Sequence, residues 1–501
     1  MLFITLEAIL AILISKKKSP IRNLISYGYA ALISLQLSSL LFSGEFIQPL
    51  AINNIDEIGT IGIKPILLFL IPLTIIILLC ELSKRWGGSA RSNVGIFIAI
   101  FISMFFHQSV INSIFSCLKD IYDERMIIKT SGHERNEIGI SLLKNKVVYN
   151  TSVNTYINQE KYNVIVIFAE GMSFDVISKE LTPNIYHFMN SSINVNNYYN
   201  HTAATYRALR GQLTSSHQIT GGNHDDKSGV AQLSKEKIIE KFGKESAVTS
   251  ITTILKKHGY TTSFQSSNSK EKPLTTLNKN LGFDNIYGLE DLEHREKWQI
   301  DELSDKDSYS LLFDKLKEQK EPFFYAMYSV GTHIGLDSPV IKYRDGKNSY
   351  LNMFYNLDYQ FGEFIKKFNS DDISKNTILI FTTDHAPVPT PEYKYTFKSE
   401  NTFMVDRIPL IIYKKGITPS SINAKCINSL SLTPTILDIL GINNEENKFL
   451  GLSIFDKKEQ PRRSTISAIS KQFYDTSRCS VIPLESEIEK EKIKKYQIFG
   501  G

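Results

Sequence analysis

The sequence predicts apolar helices of membrane type followed by one large α/β domain, and three observations carry that reading. Residues 1–118 hold long uncharged apolar runs, whereas residues 119–501 read as a mixed polar chain of globular type. In the second part short β-rich runs alternate with amphipathic helical patterns, the order that builds a largely parallel sheet covered on both faces. Several of those β-rich runs end on a carboxylate or an imidazole, and open α/β sheets collect ligands at the carboxyl ends of their strands.

A helix that crosses a membrane needs about 20 apolar residues. Leu24–Phe42, Ile61–Cys80 and Val94–Leu118 qualify, with Lys64 close enough to the end of the second to snorkel. Met1–Ser15 is short but apolar apart from Glu7; with no basic stretch ahead of it and no small-residue cleavage site, it reads as a further span and not a cleaved leader. That gives three to four spans. Short cytoplasmic loops are rich in Lys and Arg. Lys16, Lys17, Lys18 and Arg22 fill one loop and Lys84, Arg85 and Arg91 another, while Glu45, Asp56 and Glu57 face a single Lys64 between them. The expected protein is therefore multi-pass in the cell (inner) membrane, with residues 119–160 as a linker containing some helix and 161–501 as an extracytoplasmic domain.

The formal net charge is +5, spread without a basic block, so nucleic acid is not an expected partner. Four cysteines are too few for a disulfide scaffold or a cysteine zinc cluster. Cys426 and Cys479 lie in the exported part, where one disulfide can form; Cys80 and Cys117 belong to apolar stretches, where a small apolar role suits them.

Within the exported part the expected strands are Asn163–Phe168, Tyr260–Phe264, Pro322–Tyr328, Thr377–Thr382 and Ile408–Tyr413, and the expected helices include Ala247–His258, Tyr309–Lys317 and Tyr350–Phe368. Glu485–Lys495 reads as a solvated terminal helix. Glu170 follows the first strand, His333 the third, and Asp384-His385 the fourth. Converging at one sheet edge, Asp, Glu and His make an oxygen and nitrogen ligand set suited to Zn²⁺ or Mn²⁺. A nucleophile is offered by Thr205 in His201-Thr-Ala-Ala-Thr205-Tyr-Arg-Ala-Leu-Arg210, placed in the first turn of a helix where free N–H groups favour a phosphate. Arg207 and Arg210 are split evenly between bracing that phosphate and facing solvent.

This combination resembles the alkaline phosphatase/sulfatase superfamily in its membrane-anchored phosphoethanolamine and phosphoglycerol transferase branch. The likeness runs from about Asn163 to Phe455. It rests on Asn-Val-Ile-Val-Ile-Phe-Ala-Glu170, the Thr205-led helix ending Leu-Thr-Ser, Gly-Thr-His333, Thr-Asp384-His385, Arg-Ile-Pro-Leu-Ile-Ile-Tyr (407–413), Leu-Thr-Pro-Thr-Ile-Leu-Asp-Ile-Leu-Gly (432–441) and Gly-Leu-Ser-Ile-Phe (451–455), in that order. The resemblance implies an α/β/α sandwich of alkaline phosphatase type. It implies that Glu170, Thr205, Asp384 and His385 bind one divalent metal, that Thr205 carries the transferred group, and that His333 contacts that group. Asn268, Lys270 and Arg210 are implied as substrate contacts.

Departures sharpen the expectation. A sulfatase needs Cys or Ser at position 205 within Cys-x-Pro-Ser-Arg, so Thr205 disfavours sulfate ester hydrolysis. No His follows His385, which argues against a second metal site and against a second-substrate histidine of the phosphoethanolamine transferases. The Trp-x-Arg of lipoteichoic acid synthases is replaced by Phe264-Gln-Ser-Ser-Asn-Ser-Lys270. The reaction expected is transfer of phosphoethanolamine from the membrane phospholipid phosphatidylethanolamine to an envelope glycan (lipid A, lipopolysaccharide core or O-antigen) through a Thr205 ester. Phosphoglycerol transfer from phosphatidylglycerol is the alternative, and a sulfatase-like hydrolase or a non-catalytic membrane protein the more distant one.

Overall fold

The computed structural model describes residues 2–16, 19–53, 63–86, 109–130, 161–218, 249–442, 449–456, 462–469, 472–484 and 497–499. The chain divides into two compact units, Met1–Glu124 with Pro389–Tyr395, and Arg125–Val388 with Thr396–Gly501.

In the first unit, helices Leu2–Ser15, Pro20–Ser43, Lys64–Ser83 and Val110–Thr130 occupy the expected apolar stretches. Pro20–Ser43 and Lys64–Ser83 are long and apolar enough to cross a membrane. Residues 94–108 of the last expected span lie outside the described residues, as do Lys17, Lys18, Asp56, Glu57 and Arg91. Helix Val110–Thr130 continues past residue 118, so the expected linker begins as helix; residues 131–160 lie outside the described part. The lone acid of the first stretch has a structural use: Glu7 Oε2 accepts a hydrogen bond from Val110 N at 2.9 Å, placing a carboxylate at the positive end of that helix. Ser15 and Ser83 hydroxyls meet at 2.7 Å between two of the helices.

The second unit is built on an eight-stranded sheet. Its strands are β1 (Asn163–Ala169), β2 (Ile193–Asn196), β4 (Thr261–Gln265), β5 (Asn285–Tyr287), β6 (Phe323–Ser329), β7 (Thr377–Thr383), β8 (Leu410–Lys414) and β9 (Ser420–Asn423); the short β3 (His217–Gln218) lies outside it. The order is β5-β4-β6-β1-β7-β8-β2-β9. The five expected strands are present within two residues of their expected ends. The sheet is largely parallel, as expected, with one strand reversed: β8 runs antiparallel to both β7 and β2. An antiparallel return needs no helical crossover, so the chain leaving β7 at Asp384 re-enters the sheet at Arg407-Ile-Pro409 from the same edge.

Alternate side chains point to opposite faces. On one face Val164, Val166 and Phe168 join a core with Leu209 and Leu213 of helix Thr205–Thr214, Ile254 of helix Ile251–Lys257 and Ile436 of helix Leu432–Ile439. On the other, Phe381 meets Phe361 of helix Ser349–Ser370 with ring centroids 5.1 Å apart, and Tyr309 of helix Asp305–Leu316 packs on the same ring. Helices on both faces make the expected α/β/α sandwich. Helix Asp305–Leu316 starts four residues before its expected start because Ser304 caps it, accepting from Asp307 N. The expected Glu485–Lys495 helix lies outside the described residues.

Beyond the sheet, β10 (Ile466–Ile469), β11 (Gln472–Asp475) and β12 (Ile482–Pro483) form an antiparallel ribbon. Cys426 and Cys479 are joined as a disulfide, Cα atoms 5.1 Å apart, while Cys80 and Cys117 are free and buried.

Candidate active site

Strands β1 and β7 are parallel neighbours with Ala169 opposite Thr383, so the residues that follow, Glu170 and Asp384, emerge side by side at the carboxyl edge of the sheet. His385 comes with them. Ligand atoms of Glu170, Asp384 and His385 all lie within 4.8 Å of one another, and all three side chains are buried. His385 Nε2 stands 3.4 Å from Glu170 Oε1 and 3.3 Å from Asp384 Oδ2. Its Nδ1 donates to the Ala386 carbonyl at 2.8 Å, which leaves the Nε2 lone pair aimed at the two carboxylates. Asp384 Oδ1 accepts from Gly171 N (3.0 Å) and His385 N (2.8 Å), whereas the buried Oδ2 accepts no hydrogen bond.

Electrostatics mark the same spot. Burial, with Glu170 adding to it, pushes Asp384 up to about 7. Burial would raise Glu170 too, but the charges of His385 and His333 and the Tyr328 hydroxyl outweigh it and hold the group below the usual carboxylate range. Burial would lower His385, yet Asp384 and Glu170 outweigh it and raise it. Two buried carboxylates facing one imidazole nitrogen, one oxygen without a donor, is a set that a divalent cation satisfies.

Thr205 is the first residue of its helix. Its Oγ1 donates to Glu170 Oε2 at 3.2 Å, which brings the candidate nucleophile to the carboxylate cluster. Ala204 before it holds φ 72° and ψ 129°, a conformation that costs a residue with a Cβ on the order of 1–3 kcal/mol and persists only where neighbours enforce it. The neighbours are visible. Ala468 N donates to His201 O at 2.8 Å, Thr202 Oγ1 to Ala468 O at 2.7 Å and Ser467 Oγ to Asn200 O at 2.6 Å. His201 packs on the helix at Gly211, where a Cβ would stand 2.0 Å from its Nε2.

His333 lies in the turn after β6, the strand on the other side of β1. Its N donates to Val330 O at 2.9 Å and its Nδ1 to Ile334 O at 3.0 Å. Thr332 Oγ1 donates to the Glu170 carbonyl at 2.5 Å, so the His333 turn and the first carboxylate are tied together.

Other expected residues land differently. Arg207 and Arg210 are both buried, 1% and 2% exposed, which removes the solvent-facing alternative; burial lowers Arg210 to about 9. Lys270 Nζ pairs with Asp291 at 2.6 Å, and Asn268 O accepts from Leu289 N at 3.1 Å; these contacts lead to the β5 side and not to the carboxylate cluster. Two residues escaped sequence reasoning. Tyr328 donates its hydroxyl to Glu170 Oε2, and as a strand residue it carries no motif. Gln212 Nε2 donates to Thr383 O (3.1 Å) and Asp384 O (2.8 Å); its position seven residues after Thr205, on the same helix face, was the available signal.

Set against known proteins, residues 162–442 match the family model described as Sulfatase, more than half of the chain. The chain belongs to the sulfatase family. Among solved structures, this sulfatase-family chain resembles a protein in the alkaline phosphatase superfamily from Vibrio parahaemolyticus (TM-score 0.55, 19% identity, 72% of this chain and 94% of that one). It also resembles the lipoteichoic acid synthase LtaP from Listeria monocytogenes (TM-score 0.51, 19% identity, 71% and 94%). These likenesses show the fold, an α/β fold of alkaline phosphatase type. Among curated relatives, phosphoglycerol transferase I of Citrobacter koseri is 28% identical over 215 residues, 40% of this chain and 27% of that protein. Lipoteichoic acid synthase 2 of Bacillus subtilis strain 168 is 21% identical over 282 residues, 50% of this chain and 42% of that protein. The chain thus spans under half the length of these two relatives.

Proposed function

We propose that this sulfatase-family protein is a metal-dependent phosphotransferase that moves phosphoglycerol from phosphatidylglycerol to an envelope glycan or glycolipid. The observation that carries the chemistry is Thr205 Oγ1 at 3.2 Å from Glu170, at a helix N-terminus beside the Glu170, Asp384 and His385 cluster. The headgroup follows the relatives named for phosphoglycerol transfer, in preference to the phosphoethanolamine expected first from the sequence.

Glu170, Asp384 and His385, with Thr205, would hold the divalent ion, Zn²⁺ or Mn²⁺, which when bound supplies Lewis acidity at the Thr205 hydroxyl and neutralises phosphate charge. Thr205 Oγ1 yields its proton along its hydrogen bond to Glu170 and attacks phosphorus as the bond from phosphorus to the diacylglycerol oxygen breaks, and protonated His333 delivers a proton to that oxygen. A glycan hydroxyl then gives its proton to His333 as it attacks phosphorus of the Thr205 ester, the bond from phosphorus to Oγ1 breaks, and Thr205 takes its proton back from Glu170. The helix N–H groups that follow Ala204 orient the phosphoryl oxygens. A multi-pass membrane placement, with the domain outside the cytoplasm, suits a lipid donor and the Cys426–Cys479 disulfide. The test is mass spectrometry of the Thr205 peptide from full-length protein incubated with mixed phosphatidylglycerol and phosphatidylethanolamine vesicles. A phosphoglycerol adduct is expected. A phosphoethanolamine adduct would overturn the headgroup, and lipid cleavage with no adduct the covalent route.

A further inference from the structure

We propose that Asp305 is a positioning residue for His333, acting through Gly331; this rests on the role given to His333 above. Asp305 opens helix Asp305–Leu316, a place where an acid usually stands in solvent and complements the helix dipole. Here it is turned inward and 1% exposed. Its carboxyl group lies flat against Gly331, where a Cβ would come within 2.1 Å of Oδ2, 2.2 Å of Oδ1 and 2.3 Å of Cγ. No other residue type fits position 331 without moving the carboxyl group. Asn356, on helix Ser349–Ser370, donates from Nδ2 to Asp305 Oδ2 at 3.2 Å and fixes the group from the far side.

Gly331 is two residues before His333, and Thr332 between them is anchored to the Glu170 carbonyl. The turn is therefore held at two points: by Thr332 to the strand that carries a candidate metal ligand, and by Asp305 to the helix layer. Releasing the second hold lets the His333 imidazole swing about the first while Glu170, Asp384 and His385 keep their places. Burial raises Asp305 to about 7, the mark of a carboxyl group kept inside at a cost. A group that served only the helix start would gain nothing from that burial.

The test uses full-length protein with Asp305→Asn, which keeps size and helix start, and Gly331→Ala, with Asp305→Ala/Gly331→Ala as the pair in which the new methyl group enters the vacated space. Turnover is followed on phosphatidylglycerol and on the chromogenic diester bis(p-nitrophenyl) phosphate, together with metal content and the His333 titration by NMR. Expected for Asp305→Asn and Gly331→Ala is a loss in kcat of about tenfold or more, as misplacing a reacting group by a fraction of an ångström produces, with KM and metal content as in wild type. The His333 pKa should shift, and the double variant should exceed Gly331→Ala in kcat. Wild-type kcat and an unmoved His333 titration in Asp305→Asn, with only the melting temperature lowered, would overturn the proposal in favour of a helix-end role. So would activity lost in step with metal. If wild type cleaves the chromogenic diester but not phosphatidylglycerol, the substrate reading falls and the Asp305 comparison is read on the diester. If wild type cleaves neither, the His333 titration alone decides: a shift supports the positioning role and its absence rejects it.

Discussion

Tyr328→Phe isolates the support that the outer groups give the carboxylate cluster. The ring is 3% exposed and Phe fills the same space, so the change removes the phenol, which donates to Glu170 Oε2 and also interacts with the Thr205 hydroxyl. Glu170 then keeps Thr205 Oγ1 at 3.2 Å as its donor on that oxygen. A hydrogen bond to a charged group contributes about 1.5–3 kcal/mol. At about 1.4 kcal/mol per decade, complete loss of its benefit to the ion-bound state corresponds to roughly 10–150-fold weaker metal binding, which overlaps the 10–100-fold range typical of outer groups around metal ligands. The assay is competition with a chelator of known affinity, run with Zn²⁺ and with Mn²⁺, alongside Asp384→Ala as the variant expected to retain no metal. Metal affinity within about twofold of wild type in a folded Tyr328→Phe protein would refute the reasoning, since that is far below the hydrogen bond's expected worth.

Three further outcomes are expected. Thr205→Ala should fold, because a first-turn position tolerates Ala, yet lose both donor cleavage and acceptor modification; wild type should give parallel double-reciprocal lines for its two substrates, and intersecting lines with substantial residual activity in the variant would retire the Thr205 ester. His217 is buried and lowered to about 4 by that burial, with His201 lowered in the same direction. The folded state thus binds fewer protons than the unfolded one between about pH 6.5 and 4, so stability falls with acid through that window, by roughly 3 kcal/mol for His217 when complete. Asp305 and Asp438, raised to about 7 and about 6, act with the opposite sign, so the check is the difference in denaturant midpoint between wild type and His217→Gln from pH 7.5 to 4.5, which should narrow as pH falls. Last, a phosphatase reporter fused at residue 160 should be active only outside the cytoplasm; a working cytoplasmic reporter there would reverse the orientation drawn from Lys16, Lys17, Lys18, Arg22, Lys84, Arg85 and Arg91.

What the sequence made legible follows from how directly each feature depends on local pattern. Glu170 and Asp384 were readable because an apolar run marks a buried strand and the residue after it marks the sheet edge; the parallel pairing of β1 and β7 then makes neighbours of residues 214 positions apart. Strand direction has no such local signature, so Leu410–Lys414 was found but its antiparallel sense was not. The polar strands Ile193–Asn196 and Ser420–Asn423, at the sheet's far side, went unread because five of their eight residues are Asn or Ser. Tyr328 looks like any strand aromatic until Glu170 is placed beside it. The Lys270 ion pair was not legible for the opposite reason: a long side chain chooses among partners, and Asp291, brought near by the β4–β5 pairing, lies within its reach. Arg207 and Arg210 are buried because helix Thr205–Thr214 is enclosed on every side from Tyr206 to Thr214, a tertiary effect that overrides the usual exposure of Arg.

The match to the family model ends at residue 442, but the folding unit does not. Ala468 and Ser467 of β10 hold Asn200, His201 and Thr202, the segment that feeds the strained Ala204, and the bond between Cys426 and Cys479 fastens the ribbon's far end to the body of the domain. A chain shortened to Ile442 would keep Glu170, Thr205, His333, Asp384 and His385 and still lose the scaffold of the turn before Thr205. The tail thus acts on the turn before Thr205 from outside the stretch that the family model matches, and a change there that displaces the β10 backbone would be felt at residues 200–202.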